Sequence, residues 1–581
     1  MKKYARQIVL IMVLGLLMTS VTLAASLAVP QNLKVPALAV DEQSITLVWE
    51  KTENQTAIVD YHIYMNDKLL GNVNSDKSSA AKPSIDKFYA ENAKAQAIMK
   101  HSYIVTGLKP STEYKFTVRA VDAKGNESAD SNIVKQKTTV VPTIFNIEAY
   151  GAVGDGITLN TKAIQKAIDA CTPGAKVLVP AGVFKTGGIW LKSNMTLEVT
   201  KGATLLGSEN AQDYTYHYKL YPYSTDERYF ALINAGPTDK EPVVKKIRIV
   251  GEGTIDGNGW QKNTDQTAYL YANNKTDKAG VMDPNHVLNI GILAKAQVEA
   301  LMKDGQTFKS SYPRRSSLIL LRGVKQVYYG GIHVINPANH TLVNVHCDDV
   351  TINDVTFRTF DCNNGDGIEF THGNGLTVIN NYFDTGDDCV NFAAGLGSLG
   401  QKDPSTKNIW IFNNYFNHGH GAVVTGSHTA AWIENILAED NVIENTDIGF
   451  RAKTAPQIGG GARNIIFRDN AMKNIRLQAF IFTSGYSDPN AVVEYPKSKT
   501  PGQFKNIRIE NCTIDGAGGA AIEVQGLENA FHENLTFASL LFKNTKPMNL
   551  NYLKNASFEN IVFEEMKPIK NDKKKKIEAE K

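Results

Sequence analysis

The chain has 581 residues, 42% of them hydrophobic and 21% charged, with a formal net charge of +3. That near-neutral balance excludes nucleic acid or a membrane surface as the general partner, since both call for a concentrated basic excess. The length points to more than one domain. Five cysteines, Cys171, Cys347, Cys362, Cys389 and Cys512, are too few for a disulfide framework and lack close-paired zinc spacing. Buried thiols are therefore expected, with Cys347 and Cys362 open to pairing in an oxidising compartment. No metal and no other cofactor is expected.

The first segment reads as an export signal. Lys2, Lys3 and Arg6 precede the apolar run Ile8 to Met18, and small residues follow at Ala24, Ala25 and Ala28. This order is that of a secretory signal peptide covering residues 1–27, and its apolar run is short for a membrane span. The mature protein is expected to be exported to the periplasm or beyond, as a monomer free of the membrane.

Residues 28–140 read as a small β domain. Alternation is legible in Ser44 to Trp49, Tyr61 to Met65 and Tyr114 to Val121. Trp49, Tyr64 and the run Leu108 to Tyr114 resemble a fibronectin type III sandwich, in which Tyr114 would pack at a strand corner and hydrogen-bond backward. Asn74 to Lys100 interrupts the pattern, with a short helix expected from Tyr89 to Met99. The domain is either a carbohydrate- or partner-binding module or, in the reading we favour, a spacer or packing domain.

Residues 141–570 carry a different rhythm. Asn160 is placed to cap a helix whose stripe Ile164, Ala167 and Ile168 would cover the open end of a solenoid. Strands begin at Val177–Pro180, Gly188–Leu191 and Met195–Val199. Leu376 to Phe383 and Ile409 to Phe416 are nearly the same eight residues, 33 apart. Asn with an apolar strand start recurs at Asn408, Asn435, Asn464, Asn506, Asn534 and Asn555, at intervals of 27, 29, 42, 28 and 21. The long interval implies an insertion, placed at Gln478 to Gln503. Short apolar strands with Asn stacked at one corner describe a parallel β-helix rather than a helical repeat. The expected fold is thus all-β: a right-handed parallel β-helix preceded by a fibronectin type III-like sandwich. Two regions break the period, Ser208 to Pro242 and Gln261 to Arg315, and long excursions on a rigid scaffold are commonly functional loops. Residues 571–581 read as a solvated basic tail.

Four short motifs fall at coil spacing in the second domain: Asn364-Gly365-Asp366, Asp387-Asp388, Gly419-His420-Gly421 and Arg451-Ala452-Lys453. Asp366 and Asp387 are 21 residues apart, Asp388 and His420 are 32, and His420 and Arg451 are 31. Groups one coil apart in sequence are neighbours in a stacked solenoid. Three carboxylates, an imidazole and two cations would then share one patch, where like charges split the carboxyl pKa values into an acid and a base. Any one triplet is compatible with ordinary turn chemistry; four in this order are not easily explained that way.

In this order the motifs resemble the signature of the polygalacturonases, glycoside hydrolase family 28, from about Phe145 to Phe563, and Gly251 to Trp260 is similar to that family as well. The family has Asn-Thr-Asp where this chain has Gly365 in the middle. The resemblance implies inverting hydrolysis of polygalacturonate and its oligogalacturonides, with Asp387 as general acid, Asp366 and Asp388 holding and deprotonating water, and His420 tuning their protonation. Inversion leads us to expect acid and base carboxyls roughly 6.5–9.5 Å apart. Arg451 and Lys453, at i and i+2 of a strand, would face one way and suit a uronate carboxylate. Asn364, His340, Arg314 and Arg315 are further substrate-binding candidates. Because the two irregular regions precede the catalytic coils, they are expected to wall off one end of the cleft. That makes the enzyme exo-acting, as in bacterial enzymes of this family with a fibronectin-like domain that release digalacturonate from the non-reducing end. The alternatives are an endo-acting enzyme, a rhamnogalacturonan hydrolase, a pectate lyase with Ca²⁺, and a non-catalytic glycan-binding β-helix.

Overall fold

The computed structural model describes residues 27–52, 58–75, 79–236, 244–262, 289–487 and 493–565. The expected signal segment, the basic tail and the middle of the second irregular region lie outside the described residues.

The small domain is a two-sheet sandwich. Gln31–Lys34, Ile45–Glu50 and Ser102–Val105 form one sheet; Lys68–Asn72, Ile58–Met65, Glu113–Asp122 and Val134–Lys137 form the other. Trp49 meets Tyr61 edge-on at 5.3 Å in the core, beside Phe116. Tyr61, not Tyr64, is therefore the central ring; Tyr64 donates its hydroxyl to Glu127 at the rim. The corner expected at Tyr114 is present, with Lys109 N donating to Tyr114 Oη at 2.9 Å. The helix of the interrupting segment runs Lys82–Glu91 rather than Tyr89–Met99. Pro83 explains the shift, since its fixed φ and missing N–H suit the first turn of a helix.

That segment packs the sandwich onto the solenoid. Phe88 and Ala81 bury against Tyr415, Val442 and Ala471, and His101 stacks on Phe412 at 4.3 Å. Lys51 Nζ reaches Asp440 Oδ2 at 2.5 Å and Asp469 Oδ2 at 2.7 Å. A cation buried with several carboxylates makes an interface that holds one orientation, because displacing it would strand buried charge.

Among the described residues the solenoid is built from three stacks of parallel strands. One runs through Asp348–Asn353, Asn374–Ile379, Thr406–Phe412, Ile433–Glu439 and Gly461–Arg468. A second runs through Thr356–Thr359, Tyr382–Thr385, Tyr415–Phe416 and Val442–Glu444. The third, an eleven-stranded sheet, includes Leu342–Val345, Ile368–Thr371, Val390–Ala393, Val423–Thr425, Phe450–Lys453 and Phe480–Thr483. Phe357, Phe383 and Phe416 stack ring on ring inside at 4.5 and 4.8 Å. This is the parallel β-helix expected from the repeat.

The Asn ladder is real over most of its length. Asn435 donates to Asn408 at 3.1 Å, Asn464 to Asn435 at 3.3 Å, Asn506 to Asn464 at 3.2 Å and Asn534 to Asn506 at 2.9 Å. A second, fully buried ladder joins Asn381, Asn414, Asn441 and Asn470. The paired Asn-Asn of the repeat lies at the corner of this second ladder: Asn380 and Asn413 sit at positive φ, and the residue after each is fully buried within it.

Helix Thr161–Ala170 buries Ile164, Ala167 and Ile168 against the first coil, as expected of a cap on the solenoid end. Asn160 stands at its N-cap, but its side chain turns away to Val153 and Thr158. The cysteines are all buried and unpaired.

The described part of the first irregular region folds onto the third sheet, and that of the second ends at a turn leading into it. In the first, Tyr218, Leu220, Tyr221 and Ala231 cover Leu320, Val343 and Val345. The second contains helix Leu293–Lys303 and ends at Tyr312 to Arg315, beside Asn363 and Asn364. The later insertion begins after the Phe480–Thr483 strand, which is itself a coil strand, and Glu494 N donates to Thr225 Oγ1 across to the first region.

Candidate active site

Every predicted catalytic residue stands at the turn leading into a third-sheet strand. Asp366 precedes Ile368–Thr371, Asp387 and Asp388 precede Val390–Ala393, His420 precedes Val423–Thr425, and Arg451 lies in Phe450–Lys453. The backbone locks these turns in register. Gly367 N donates to Asp388 O at 3.0 Å, and His420 N to Asp387 O at 3.1 Å. The coils approach so closely that a Cβ on Gly386 would lie 2.0 Å from Cys362 O. Gly365, the departure from the family pattern, is crowded by its own turn instead: a Cβ there would sit 2.7 Å from Thr359 O.

One oxygen from each of Asp366, Asp387 and Asp388 lies within 4.8 Å of the others. The wide gap expected between acid and base is therefore not what the nearest oxygens show. The reason is geometric: Asp387 and Asp388 are consecutive residues of one turn, and Asp366 stands on the adjacent coil, about 4.8 Å away as neighbouring strands are. A single water can still bridge two such oxygens along a bent path, with a hydrogen bond of about 2.7 Å to each.

The charge of the trio is balanced from within. Lys453 Nζ is 2.7 Å from Asp388 Oδ2 and Arg451 Nη1 3.4 Å from Asp388 Oδ1. His420 Nδ1 is 2.8 Å from Asp387 Oδ1, and Asn364 Nδ2 donates to Asp387 Oδ2 at 3.2 Å. These groups supply the positive charge that a metal ion would bring to such a cluster. Burial, and then the charges of Asp387, Glu369 and Asp388, push the Asp366 carboxyl well above the usual range. Burial pulls Asp387 upward too, but His420, Lys453 and Arg451 outweigh it and hold Asp387 below that range. His420 is opposed by burial yet raised overall by Asp387, Asp447 and Asp388. The neighbouring charges thus push the Asp366 and Asp387 carboxyls in opposite directions, Asp366 toward the protonated form and Asp387 toward the ionised one.

The two cations differ more than their spacing suggested. Both side chains project from one face of the strand, with the Tyr486 ring 5.7 Å from the Arg451 guanidinium and 5.2 Å from Lys453 Nζ. The Lys453 side chain is 8% exposed and the Arg451 side chain 19%, so Lys453 chiefly neutralises Asp388. His340 stands one coil before, its Nε2 3.7 Å from Asp366 Oδ1 and its Nδ1 3.1 Å from Glu369 Oε1. Arg315 is corrected: it is 1% exposed, and Tyr312 O, Ala338 O and Asn364 Oδ1 take its donors, so it does not reach solvent or a sugar directly. Arg314 ties the two irregular regions together through Tyr216 Oη at 3.2 Å.

Three further residues join the site without having been foreseen. Glu369 is held down to about 2: burial opposes this, but His340, Arg228 and His428 outweigh it. Asp447 Oδ2 is 4.0 Å from His420 Nε2. Tyr486 faces the cations from the later insertion. Asp447 alone left a sequence signal, standing one coil beyond Gly419-His420-Gly421.

The family model for glycosyl hydrolases family 28 matches residues 297–558, and the fibronectin type III domain model matches residues 28–137. The chain is 46% identical over 562 residues to an exo-poly-alpha-D-galacturonosidase of Dickeya chrysanthemi, across 95% of this chain and 93% of that one. It superposes on the structure of a Yersinia enterocolitica family 28 exopolygalacturonase with a TM-score of 0.87 at 46% identity, covering 93% of this chain and 97% of the other. An exopolygalacturonase of Thermotoga maritima, at 23% identity and a TM-score of 0.58 over 73% of this chain and 92% of its own, shares the fold. Motifs, coil geometry and relatives agree, and the chain belongs to glycosyl hydrolases family 28.

Proposed function

We propose that the protein is an exo-acting polygalacturonase that hydrolyses α-1,4-galacturonosyl bonds of polygalacturonate with inversion and releases digalacturonate from the non-reducing end. The observation that carries the reaction class is the convergence of Asp366, Asp387 and Asp388 within 4.8 Å, beside Arg451 and Lys453. Among the three side chains Asp387 is the most accessible at 17%, against 6% for Asp366 and 2% for Asp388, which favours it for meeting a glycosidic oxygen. Asp387 passes a proton, replenished along its His420 contact, to the departing sugar oxygen. A water held by Asp366 and Asp388 adds to the anomeric carbon, and Asp388 takes its proton. The free site holds Asp387 ionised, so the acid role depends on the uronate carboxylate engaging Arg451, which withdraws positive charge from Asp387 and raises its proton affinity.

The exo reading is supported by the walls. The described part of the first irregular region covers the third sheet, that of the second ends at the Asn363–Asn364 turn leading into it, and contacts from the sandwich go to the other two stacks. Tyr221 reaches His428 at 3.1 Å, and Arg228 and His428 face Glu369, so the first irregular region builds a wall beside the trio. A wall there would keep the polymer from running straight through the site, which is what an exo-acting enzyme requires. Export and action as a monomer complete the reading: polygalacturonate is a large extracellular polymer, and the trio, cations and walls all come from one chain. Proton NMR of an early digest tests the stereochemistry. The β-anomer of the new reducing end is expected first, and an initial α-anomer would contradict inversion.

A further inference from the structure

We infer that Arg315 is a positioning residue for the general acid, acting through the side-chain amide of Asn364. This rests on the reading of Asp387 as the acid and adds a function for the second irregular region, from whose end Arg315 comes.

Arg315 Nη2 donates to Asn364 Oδ1 at 2.7 Å, and Asn364 Nδ2 donates to Asp387 Oδ2 at 3.2 Å. A guanidinium can only donate, so it accepts one orientation of the amide alone, with Oδ1 turned toward it. That leaves Nδ2 aimed at the carboxylate. With the amide reversed, two oxygens would face each other across the same gap. Arg315 itself has no freedom to relax. Its Nε donates to Tyr312 O at 2.5 Å and its Nη1 to Ala338 O at 2.9 Å. Its plane lies 3.8 Å from the Tyr312 ring centre and 5.5 Å from that of Trp260. Tyr312 also pins the neighbouring turn by donating to Asn363 Oδ1 at 2.7 Å. Asn364 adopts φ 55°, the left-handed region an Asn tolerates, so its side chain leaves the turn toward both partners. Asp387 is then held on two sides, His420 on Oδ1 and Asn364 on Oδ2. The rotation of its carboxyl, and with it the position of the proton, is set by a residue that never meets the substrate.

The test is kinetic. Arg315→Gln and Asn364→Ala should each lower kcat on polygalacturonate by about tenfold to a hundredfold, the scale of a misplaced reacting group, with KM within about twofold. The two losses should not add in the double variant, because they break one link. On a digalacturonoside with a nitrophenyl leaving group, which departs with little protonation, both deficits should shrink. A residue that merely supports the fold would not change its effect with the leaving group. Asn364→Ala leaves Arg315 and its carbonyl contacts in place, so it decides the matter if Arg315→Gln does not fold. Wild-type kcat in a folded variant, full additivity, or equal deficits on both substrates would overturn the inference. Asp387→Asn on the same pair of substrates separates the two readings: if its deficit does not shrink, the acid assignment fails and takes this inference with it. If Asp387→Asn is sensitive to the leaving group and the Arg315 and Asn364 variants are not, only this inference fails.

Discussion

Asp387→Asn is expected to abolish most turnover while leaving the protein folded and able to bind substrate. Losing general acid assistance alone costs roughly 10²–10⁴-fold in kcat. The change is nearly isosteric, and the amide can keep one hydrogen bond to His420 or to Asn364, now contacting Asp387 from two sides. Substrate affinity should hold, because Arg451 is anchored on Asp388 rather than on Asp387. Removing a negative charge from the trio also lowers the proton affinity of Asp366, whose elevated value owes its largest electrostatic part to Asp387. Measuring kcat and product affinity on the purified variant checks the result, and near-normal turnover would sink the acid assignment.

Lys453→Ala should cost more than Arg451→Ala, the reverse of the ranking that Arg's bidentate fork suggests when the motif is read as a substrate clamp. The short contact and the deeper burial both belong to Lys453. Taking it away leaves Asp388 in the protein interior with only the 3.4 Å contact to Arg451. Stripping a buried charge of its partner costs about 3–5 kcal/mol, and the remaining guanidinium places this case toward the lower end. Asp388 would lose the short contact that fixes its carboxylate, and with it the placement of the base. Turnover should therefore fall about a hundredfold or more, together with a lowered melting temperature. Arg451→Ala should instead show mainly a raised KM. Equal, modest KM effects in both variants, with unchanged melting, would mean that Lys453 is a plain substrate contact.

Much of the site was legible because a solenoid turns sequence spacing into spatial adjacency. The intervals among Asp366, Asp387, His420 and Arg451 are coil lengths, so the motifs stack on one sheet. The recurring Asn starts appeared as a ladder for the same reason. What escaped the sequence depends on distances that spacing does not carry. The trio is narrower than a general inverting pair because two of its acids are consecutive in one turn and the third stands one strand separation away. Arg315 looked like a free cation near a cleft, whereas Tyr312, Trp260 and three backbone or amide oxygens enclose it. Glu369 and Tyr486 belong to no motif and are brought in by sheet register and by an insertion. The helix of the interrupting segment starts where Pro83 fits its first turn, a local signal that outweighs the later apolar spacing. That segment gives the sandwich its apolar seat on the solenoid, which fits a packing domain.

The central claim, cleavage from chain ends in a cleft closed on one side, is tested most directly by following viscosity and reducing ends together during digestion of polygalacturonate. Reducing ends should accumulate while viscosity stays high, with digalacturonate as the single early product. A rapid fall in viscosity with a ladder of oligomers would contradict it.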